Sequence, residues 1–503
     1  MSEKILVRGV NWIGDAVMTL PALKALRKAH PQSKISLLVR PSVAAIFEKD
    51  PSVDEIILYE EKFQRPFGKF KLSQRLRKEH FSKTILLQNA FDAALIAFLA
   101  GIPQRMGYNR DRRGFLLTKA LPFHDEDRKM HHADYYLNLL RALDICAEDT
   151  RPWIHLTLEE RLKARDALSM LKRPVLGINP GAAFGSAKRW LPDRFAEVAS
   201  WFIKDTGGSV VIFGGKDDDV TAHEIARLAT FRGAGPSLVN KTGRTSLREL
   251  VGEISECDVF LSNDSGPMHI AYAVGTPLVA IFGSTDPGLT GPVGEGSMVI
   301  HHPLACSPCF ERACRENDMR CMYAITSDEV FLAIKKMLPK NSALFFDRDG
   351  TLCEDAHYLS RWEQFRLFEG VDELAKLKPK GFRLIGVTNQ SGIARGQVGE
   401  DFVEEVNRLF MERYGFDDFF YCPHLPEEYC SCRKPEPGML HTARTRHGID
   451  LKKSFMIGDK EADMVLARAV GAKSILVRTG HDKESAHADF IAENLRDAIR
   501  LVE

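Results

Sequence analysis

A chain of 503 residues with a net charge of +1 has room for roughly two to four domains, and no overall charge bias points to nucleic acid or another polyanion. Its 44% hydrophobic content excludes a disordered chain, and its longest apolar run, AALIAFLAGI at 93–102, is too short to span a bilayer. The opening MSEKILVRGV lacks the long apolar stretch of a signal peptide, so a cytoplasmic protein with reduced cysteines is expected.

Along the chain, short β-rich apolar runs closed by Gly, Asn or Asp alternate with amphipathic stretches. KILVRG, KISLLVR and KTILLQ mark a first part, residues 1–170. VLGINPG, SVVIFGG, VFLSNDSG and LVAIFGS mark a second, 171–340, and ALFFDRDG, RLIGVTNQ, SFMIGDK and SILVRTG a third, 341–503. Continuous apolar strands alternating with helices predict an α/β protein of parallel sheets covered on both faces, with ligands at the carboxyl ends of the strands. Thr326 and Glu329 form a helix-start signal before the short linker PKNS at 339–342. Upstream, TLEERLKARDALSMLK reads as the helix before a new strand at Pro174.

In the first part, NWIGDAVMTLPALKAL puts Asp15 at a turn opening a helix. Residues 61–80 hold seven Lys/Arg against two Glu, interleaved with Phe63, Phe67 and Phe70, and RMGYNRDRR adds four arginines. Such a rim suits an anionic lipid headgroup. Basic patches with aromatics also bind single-stranded nucleic acid, but no nucleic-acid module is recognisable and no such partner is expected. In the second part, NPGAAFGSAKRW sets glycines, a serine and Lys188 after a strand, which suits a diphosphate. SNDSGPMH places Asp264, Ser265 and Gly266 at a helix start, with His269 about one turn inside.

CSPCFERACRENDMRC contains Cys306, Cys309, Cys314 and Cys321. Their spacing is compatible with zinc, with an iron–sulfur cluster, or with four thiols that only pack. The third part offers a second set, Cys422, His424, Cys430 and Cys432, within eleven residues. Three thiolates and an imidazole match a closed tetrahedral zinc site.

Strand ends of the third part also carry Asp347 with Asp349, then Thr388, then Asp459, while Lys434 stands in the loop CRKP. These are the groups needed for phosphoryl transfer to a carboxylate. Asp347 is the expected nucleophile, and Asp349 the acid and then the base. Thr388 and Lys434 hold the phosphoryl oxygens. Mg2+ is expected on Asp347, the Asp349 carbonyl and Asp459, with Asp463 in support.

From about residue 343 to 480, DRDGTL, TNQSGIARG, CRKPEPGM and GDKEAD resemble the haloacid-dehalogenase-like phosphatases without a large cap, and within them the heptose 1,7-bisphosphate 7-phosphatases. The resemblance implies substrate contacts at Asn389 and Arg433 beside Thr388 and Lys434. The five-residue gap between His424 and Cys430 is more like the histidinol-phosphate phosphatases, which stay open as the alternative. From about residue 4 to 340, GDAVMTLPAL, AGIPQRMGY, NPGAAFGSAKRW, SNDSGPMHIA and TDPGLTGP resemble the ADP-heptose:lipopolysaccharide heptosyltransferases, type II. That resemblance implies a GT-B fold, Asp15 as base for the acceptor hydroxyl, Lys188 on the donor diphosphate, and Asp264, Ser265, Gly266 and His269 on the sugar nucleotide. The resemblance also implies a transfer that inverts the anomeric centre without an essential metal. A ribose contact from Asp217, Asp218 or Asp219 stays unassigned. The implied partners are ADP-heptose, a lipid A-core acceptor at the inner membrane surface and heptose 1,7-bisphosphate. One half acting as a silent binding module is the remaining alternative.

Overall fold

The computed structural model describes residues 3–149 and 151–502. Among them, three six-stranded sheets form, every adjacent strand pair parallel. The first comprises β1 (Lys4–Arg8), β2 (Lys34–Val39), β3 (Glu55–Leu58), β4 (Lys83–Leu86), β5 (Gln104–Tyr108) and β6 (Lys119–Leu121), in the order β3-β2-β1-β4-β5-β6. The second comprises β7 (Val175–Asn179), β8 (Ser209–Ile212), β9 (Leu238–Asn240), β10 (Val259–Asn263), β11 (Leu278–Phe282) and β12 (Ser297–His301), ordered β12-β11-β10-β7-β8-β9. The third comprises β13 (Ser342–Phe346), β14 (Phe382–Asn389), β15 (Asp418–Cys422), β16 (Phe455–Gly458), β17 (Lys473–Val477) and β18 (Phe490–Ala492), ordered β15-β14-β13-β16-β17-β18. Each order reverses beside its first strand, the position where open parallel sheets place ligands.

The chain divides into two compact units. One runs to Thr157 and resumes from Lys163 to Met337; the other holds Leu158–Leu162 and the chain from Leu338. In the first unit a continuous core, from Ile5 and Val7 of β1 to Phe260 and Phe282 of β10 and β11, runs through both sheets. In the second, β13 alternates: Leu344 and Phe346 pack on one face, Ala343 and Phe345 on the other. That is a strand buried on both sides, so its polar chemistry can begin only where the apolar run ends, at Asp347.

The expected helix start appears at Ser327–Met337, where the Glu329 N–H donates to Thr326 Oγ1 at 3.3 Å. The helix read before Pro174 spans Leu158–Ala167 and ends several residues earlier than its apolar pattern, at the turn before β7.

Candidate active sites

In the second unit, β13 ends at buried Asp347. The next turn passes through Gly350 at φ +92°, a left-handed conformation that suits glycine. A Cβ there would also collide with the Asp459 carboxylate, as would one at Gly480. Asp459 follows β16, and Asp463 lies in the first turn of the helix Glu461–Val470. Carboxylate oxygens of Asp347, Asp459 and Asp463 lie within 4.8 Å of one another, all three buried. Lys434 enters this set from its loop, its Nζ 2.8 Å from Asp347 and 2.7 Å from Asp463, and donates to the Val387 carbonyl at 3.0 Å.

Lys434 inside the set and Lys460 beside it, which acts on Asp459 and Asp347, do not balance three carboxylates. Burial, then the charges of Asp347 and Asp463, push the Asp459 carboxyl up to about 8. Burial likewise lifts Asp463 to about 6, against the pull of Lys434. Asp459 Oδ1 is buried with no hydrogen-bond partner. A hard divalent cation on oxygen ligands fits these facts, because it supplies the missing charge and satisfies that oxygen. The side-chain donors are therefore Asp347, Asp459 and Asp463. Asp349 can add only its carbonyl, because its carboxylate faces other partners: Gln390 Nε2 at 2.7 Å, the Arg348 guanidinium at 3.1–3.3 Å and Thr388 Oγ1 at 3.5 Å.

Gln390 and the fully buried Arg348 escape a reading based on strand ends alone. Gln390 also donates to Thr388 Oγ1 at 2.8 Å. The available signal was period two: Thr388 and Gln390, two residues apart in TNQSG, face the same side. Asn389 pairs with the backbone of Lys434, accepting from its N–H at 3.0 Å and donating to its carbonyl at 3.2 Å. Arg433 donates to the His424 carbonyl at 3.3 Å.

The cysteine set of this unit is tightly gathered. Cys422 and Cys430 Sγ are 3.4 Å apart, Cys430 and Cys432 Sγ 3.4 Å, and His424 Nδ1 is 3.6 Å from Cys422 and 3.2 Å from Cys432. Zinc bonds of about 2.0–2.3 Å give tetrahedral edges close to these, so the four residues fit such an ion. The loop is joined to the reaction centre, because the Gln390 N–H donates to the Cys422 carbonyl at 2.7 Å.

In the first unit, Asp15 sits in the first turn of the helix Ile13–Met18. Its Oδ1 lies 3.4 Å from His132 Nδ1. His131 accepts from the Ala133 N–H at Nδ1, so its Nε2–H is the donor to the Gly291 carbonyl at 2.9 Å. Both histidines were missed; a tandem pair at a helix start was the only hint. Two glycines let the helix of Asp15 approach the helix Gly266–Ala273. A Cβ on Gly14 would fall 2.7 Å from His269 Cδ2, and one on Gly266 would fall 2.9 Å from Ile13 Cβ. His269 is thereby enclosed, and burial pulls its imidazole down to about 4 against the attraction of Asp264 and Asp15.

Lys188 ends the turn Ser186–Lys188 and places Nζ 2.5 Å from Asp264 Oδ2, an oxygen that also accepts from Thr285 Oγ1 at 2.6 Å. The ammonium lies 4.6 Å from the Phe184 ring centroid. Ser265 donates to Asn179 Oδ1 at 3.0 Å. Of the three aspartates after β8, Asp218 turns inward: it accepts from the Gly215 N–H at 3.0 Å and fills the space a Cβ on Gly181 would need. Asp217 is exposed and Asp219 pairs with His223. No helix among the described residues is long and apolar enough to cross a membrane.

The geometry sets a two-sheet unit of parallel α/β folds before a third parallel-sheet unit whose strand ends gather three buried aspartates and a lysine. Residues 69–320 match the model of glycosyltransferase family 9 (heptosyltransferase), and residues 431–498 match a HAD-hydrolase-like model. Lipopolysaccharide heptosyltransferase 2 of Escherichia coli strain K12 is 33% identical over 315 residues, covering 59% of this chain and 87% of that protein. The D-glycero-beta-D-manno-heptose-1,7-bisphosphate 7-phosphatase of Helicobacter pylori strain J99 is 39% identical over 170 residues, covering 32% of this chain and 98% of the relative. The solved structure of E. coli ADP-heptose LPS heptosyltransferase II superposes with a TM-score of 0.58 at 29% identity, over 66% of this chain and 98% of its own. The chain belongs to glycosyltransferase family 9 and carries a haloacid-dehalogenase-like phosphatase domain after the transferase. It is an enzyme of two activities.

Proposed function

We propose that the protein serves two steps of lipopolysaccharide inner-core synthesis. The first unit transfers heptose from ADP-L-glycero-D-manno-heptose to a heptosyl-Kdo2-lipid A acceptor. The second removes the 7-phosphate of D-glycero-D-manno-heptose 1,7-bisphosphate. The observation that carries this reading is the union in one chain of likenesses over 87% of a heptosyltransferase 2 and 98% of a 7-phosphatase that share heptose chemistry. A histidinol-phosphate phosphatase would have no comparable link to the transferase. The working division is 1–170 for the acceptor, 171–340 for ADP-heptose and 341–503 for phosphate release.

For transfer, Asp15 takes the proton of the acceptor hydroxyl as the new C1–O bond forms and the bond to the ADP oxygen breaks. His132 orients that carboxylate. Lys188, held by Asp264, turns its free N–H groups toward the departing diphosphate. Ser265, Gly266 and His269 line the donor side. For hydrolysis, Asp347 attacks phosphorus and Asp349 protonates the leaving alkoxide, then takes a proton from the water that cleaves the aspartyl-phosphate. Thr388 and Lys434 hold the phosphoryl oxygens, and Asn389 and Arg433 position the Lys434 loop and reach substrate. Mg2+ on Asp347, Asp459, Asp463 and the Asp349 carbonyl supplies charge stabilisation. Zinc on Cys422, His424, Cys430 and Cys432 shapes the loop leading to Lys434.

The enzyme works in the cytoplasm at the inner face of the inner membrane. Exposed Phe67 and Phe70 on the basic helix Pro66–Arg77 support contact with an anionic surface. Two assays test the proposal. Phosphate release is compared on heptose 1,7-bisphosphate and histidinol phosphate, and a preference for histidinol phosphate overturns the phosphatase assignment. Asp15→Ala is expected to abolish transfer while ADP-heptose still binds by calorimetry; loss of donor binding overturns the division of roles.

A further inference from the structure

Two contacts between the sheets of the first unit frame Asp15. One is the close approach of Gly14 to His269. The other is made by His131, which the transfer mechanism leaves without a role. His131 caps the helix His132–Arg141 and engages both ring nitrogens at once. Its Nδ1 accepts from the Ala133 N–H at 3.2 Å, inside its own helix start. Its Nε2–H donates to the Gly291 carbonyl at 2.9 Å, 160 residues further on. A helix cap needs only the first of these bonds. The side chain is half-buried, and burial holds the imidazole below its usual value, which suits a neutral ring that donates at one nitrogen and accepts at the other.

Each end of the second bond leads to the site. Gly291 closes the short helix Pro287–Thr290. That turn is tied twice: Asp286 accepts from the Gly288 N–H at 2.8 Å, and the Gly291 N–H donates to the Pro287 carbonyl at 2.7 Å. Gly291 is buried, and a Cβ there would stand 2.4 Å from the Pro287 carbonyl oxygen, so the turn has no slack. It begins directly after Thr285, whose hydroxyl donates to Asp264 Oδ2 at 2.6 Å, the oxygen that also holds Lys188. At the other end, His132 follows His131 directly, and its Nδ1 lies 3.4 Å from Asp15 Oδ1. The helix that these histidines open packs on the helix Ile13–Met18, which carries Asp15.

We propose that His131 is a positioning residue for heptosyl transfer: its bond to the Gly291 carbonyl fixes the helix start that sets His132 on Asp15, and so registers the base against the donor side of the site. This role rests on Asp15 being the base. His131 meets backbone on both sides, so its loss should spare substrate affinity. It acts on the rate, because proton transfer depends on the base standing at hydrogen-bond distance and angle from the acceptor hydroxyl. The two functions of the imidazole separate chemically. Asparagine puts its amide near the place of Nδ1 and is a favoured cap, so it keeps the Ala133 bond and falls short of Gly291. Glutamine puts its amide near the place of Nε2, so it keeps the donor to Gly291 and is not among the favoured caps.

The test is steady-state heptosyl transfer from ADP-heptose by the full chain, with thermal melts on the same preparations. His131→Asn should melt close to the parent with kcat roughly tenfold lower, and KM for ADP-heptose should stay within about twofold. His131→Gln should bring kcat back to within about threefold of the parent while melting lower. Gly291→Ala, which displaces the carbonyl end of the bond, should lower kcat as His131→Asn does. Combining the two should cost little more than either, since both break one bond. A kcat for His131→Asn within about threefold of the parent overturns the proposal. So does an equal fall in the Asn and Gln variants, or a loss carried by KM alone, since each marks a merely structural contact. If His131→Asn does not fold, Gly291→Ala decides by the same limits; if neither folds, the contact is structural and the proposal is overturned. Asp15→Ala, measured alongside, separates the two readings. Transfer surviving in Asp15→Ala overturns the base and the role of His131 with it, whereas transfer lost there but parent-like in His131→Asn overturns the role of His131 alone.

Discussion

Replacing Gln390 with leucine isolates a residue that touches neither phosphorus nor metal in the proposed mechanism. Leucine keeps much of the volume and removes the Nε2 donor. Two hydrogen bonds go with it, 2.7 Å to Asp349 Oδ2 and 2.8 Å to Thr388 Oγ1. The first ends on the carboxylate assigned to proton transfer, where a hydrogen bond contributes about 1.5–3 kcal/mol. Arg348 stays on that carboxylate and limits the disorder. Taking about 2 kcal/mol at roughly 1.4 kcal/mol per decade, kcat for phosphate release should fall roughly 30-fold. KM should stay within about twofold, because the lost contacts orient the acid rather than bind the substrate phosphate. Gln390→Glu, which sets a second carboxylate against Asp349, should cost more. The assay is steady-state phosphate release on heptose 1,7-bisphosphate, with heptosyl transfer measured on the same preparation. A kcat within threefold of the parent would refute the orienting role, and an equal loss of transfer would show general damage instead.

Asp347→Asn should abolish phosphate release while leaving transfer within about twofold; comparable loss in both assays would break the separation of the two sites. Cys430→Ser should lower zinc by about one per chain and impair the phosphatase through the loop joined to Gln390 and Lys434, and parent-level zinc with full rate would dismiss that site. The third case concerns acid stability. His269 is held near 4 by burial against about 6.5 unfolded, so its neutral form contributes stability that is complete above the unfolded value and is lost as pH falls toward the folded one. Between pH 7 and pH 5 that loss is about 2 kcal/mol, and His269→Gln should remove it. Tryptophan fluorescence suits the measurement, since Trp12, Trp153, Trp190 and Trp201 lie in the first unit and Trp362 in the second. Identical pH dependence in parent and variant would contradict the enclosed histidine.

The strand pattern made the three sheets and the acids at their ends legible, because a strand buried on both faces has nowhere but its end to carry charge. Asp347, Asp459 and Asp264 were found for that reason. What pattern could not show was which side chains answer those acids from elsewhere in the chain. Arg348 alternates within the same motif as Asp347 and Asp349 but reads as a linker residue until it proves fully buried. Thr285 and His132 meet their carboxylates across 21 and 117 residues of sequence, and no local signal encodes such a meeting. The glycines at 14 and 266 looked like turn residues. Their tightest requirement is the close approach of two helices, which only the packed structure reveals.

The two sites share one construction and differ in the carboxylates around the lysine. Each places an aspartate at a strand end and pairs it with a lysine brought by another loop, half-buried in the first and buried in the second: Asp264 with Lys188 at 2.5 Å, Asp347 with Lys434 at 2.8 Å. In the first, the second partner of the aspartate is a neutral hydroxyl, Thr285. The pair is neutral in itself and, in the proposed mechanism, leaves lysine N–H groups to meet a diphosphate. In the second, Lys434 is also claimed by Asp463, and Asp459 stands close by with an unpartnered buried oxygen. Lys460 also faces Asp459 and Asp347, so two lysines meet three carboxylates and one carboxylate remains in excess. Under the proposed mechanism, a divalent cation would supply the missing positive charge there. Within one chain, the lysine's remaining neighbours, a hydroxyl or carboxylates, thus set apart the two lysine–aspartate pairs, and under the proposed mechanism only the second would call on a metal ion.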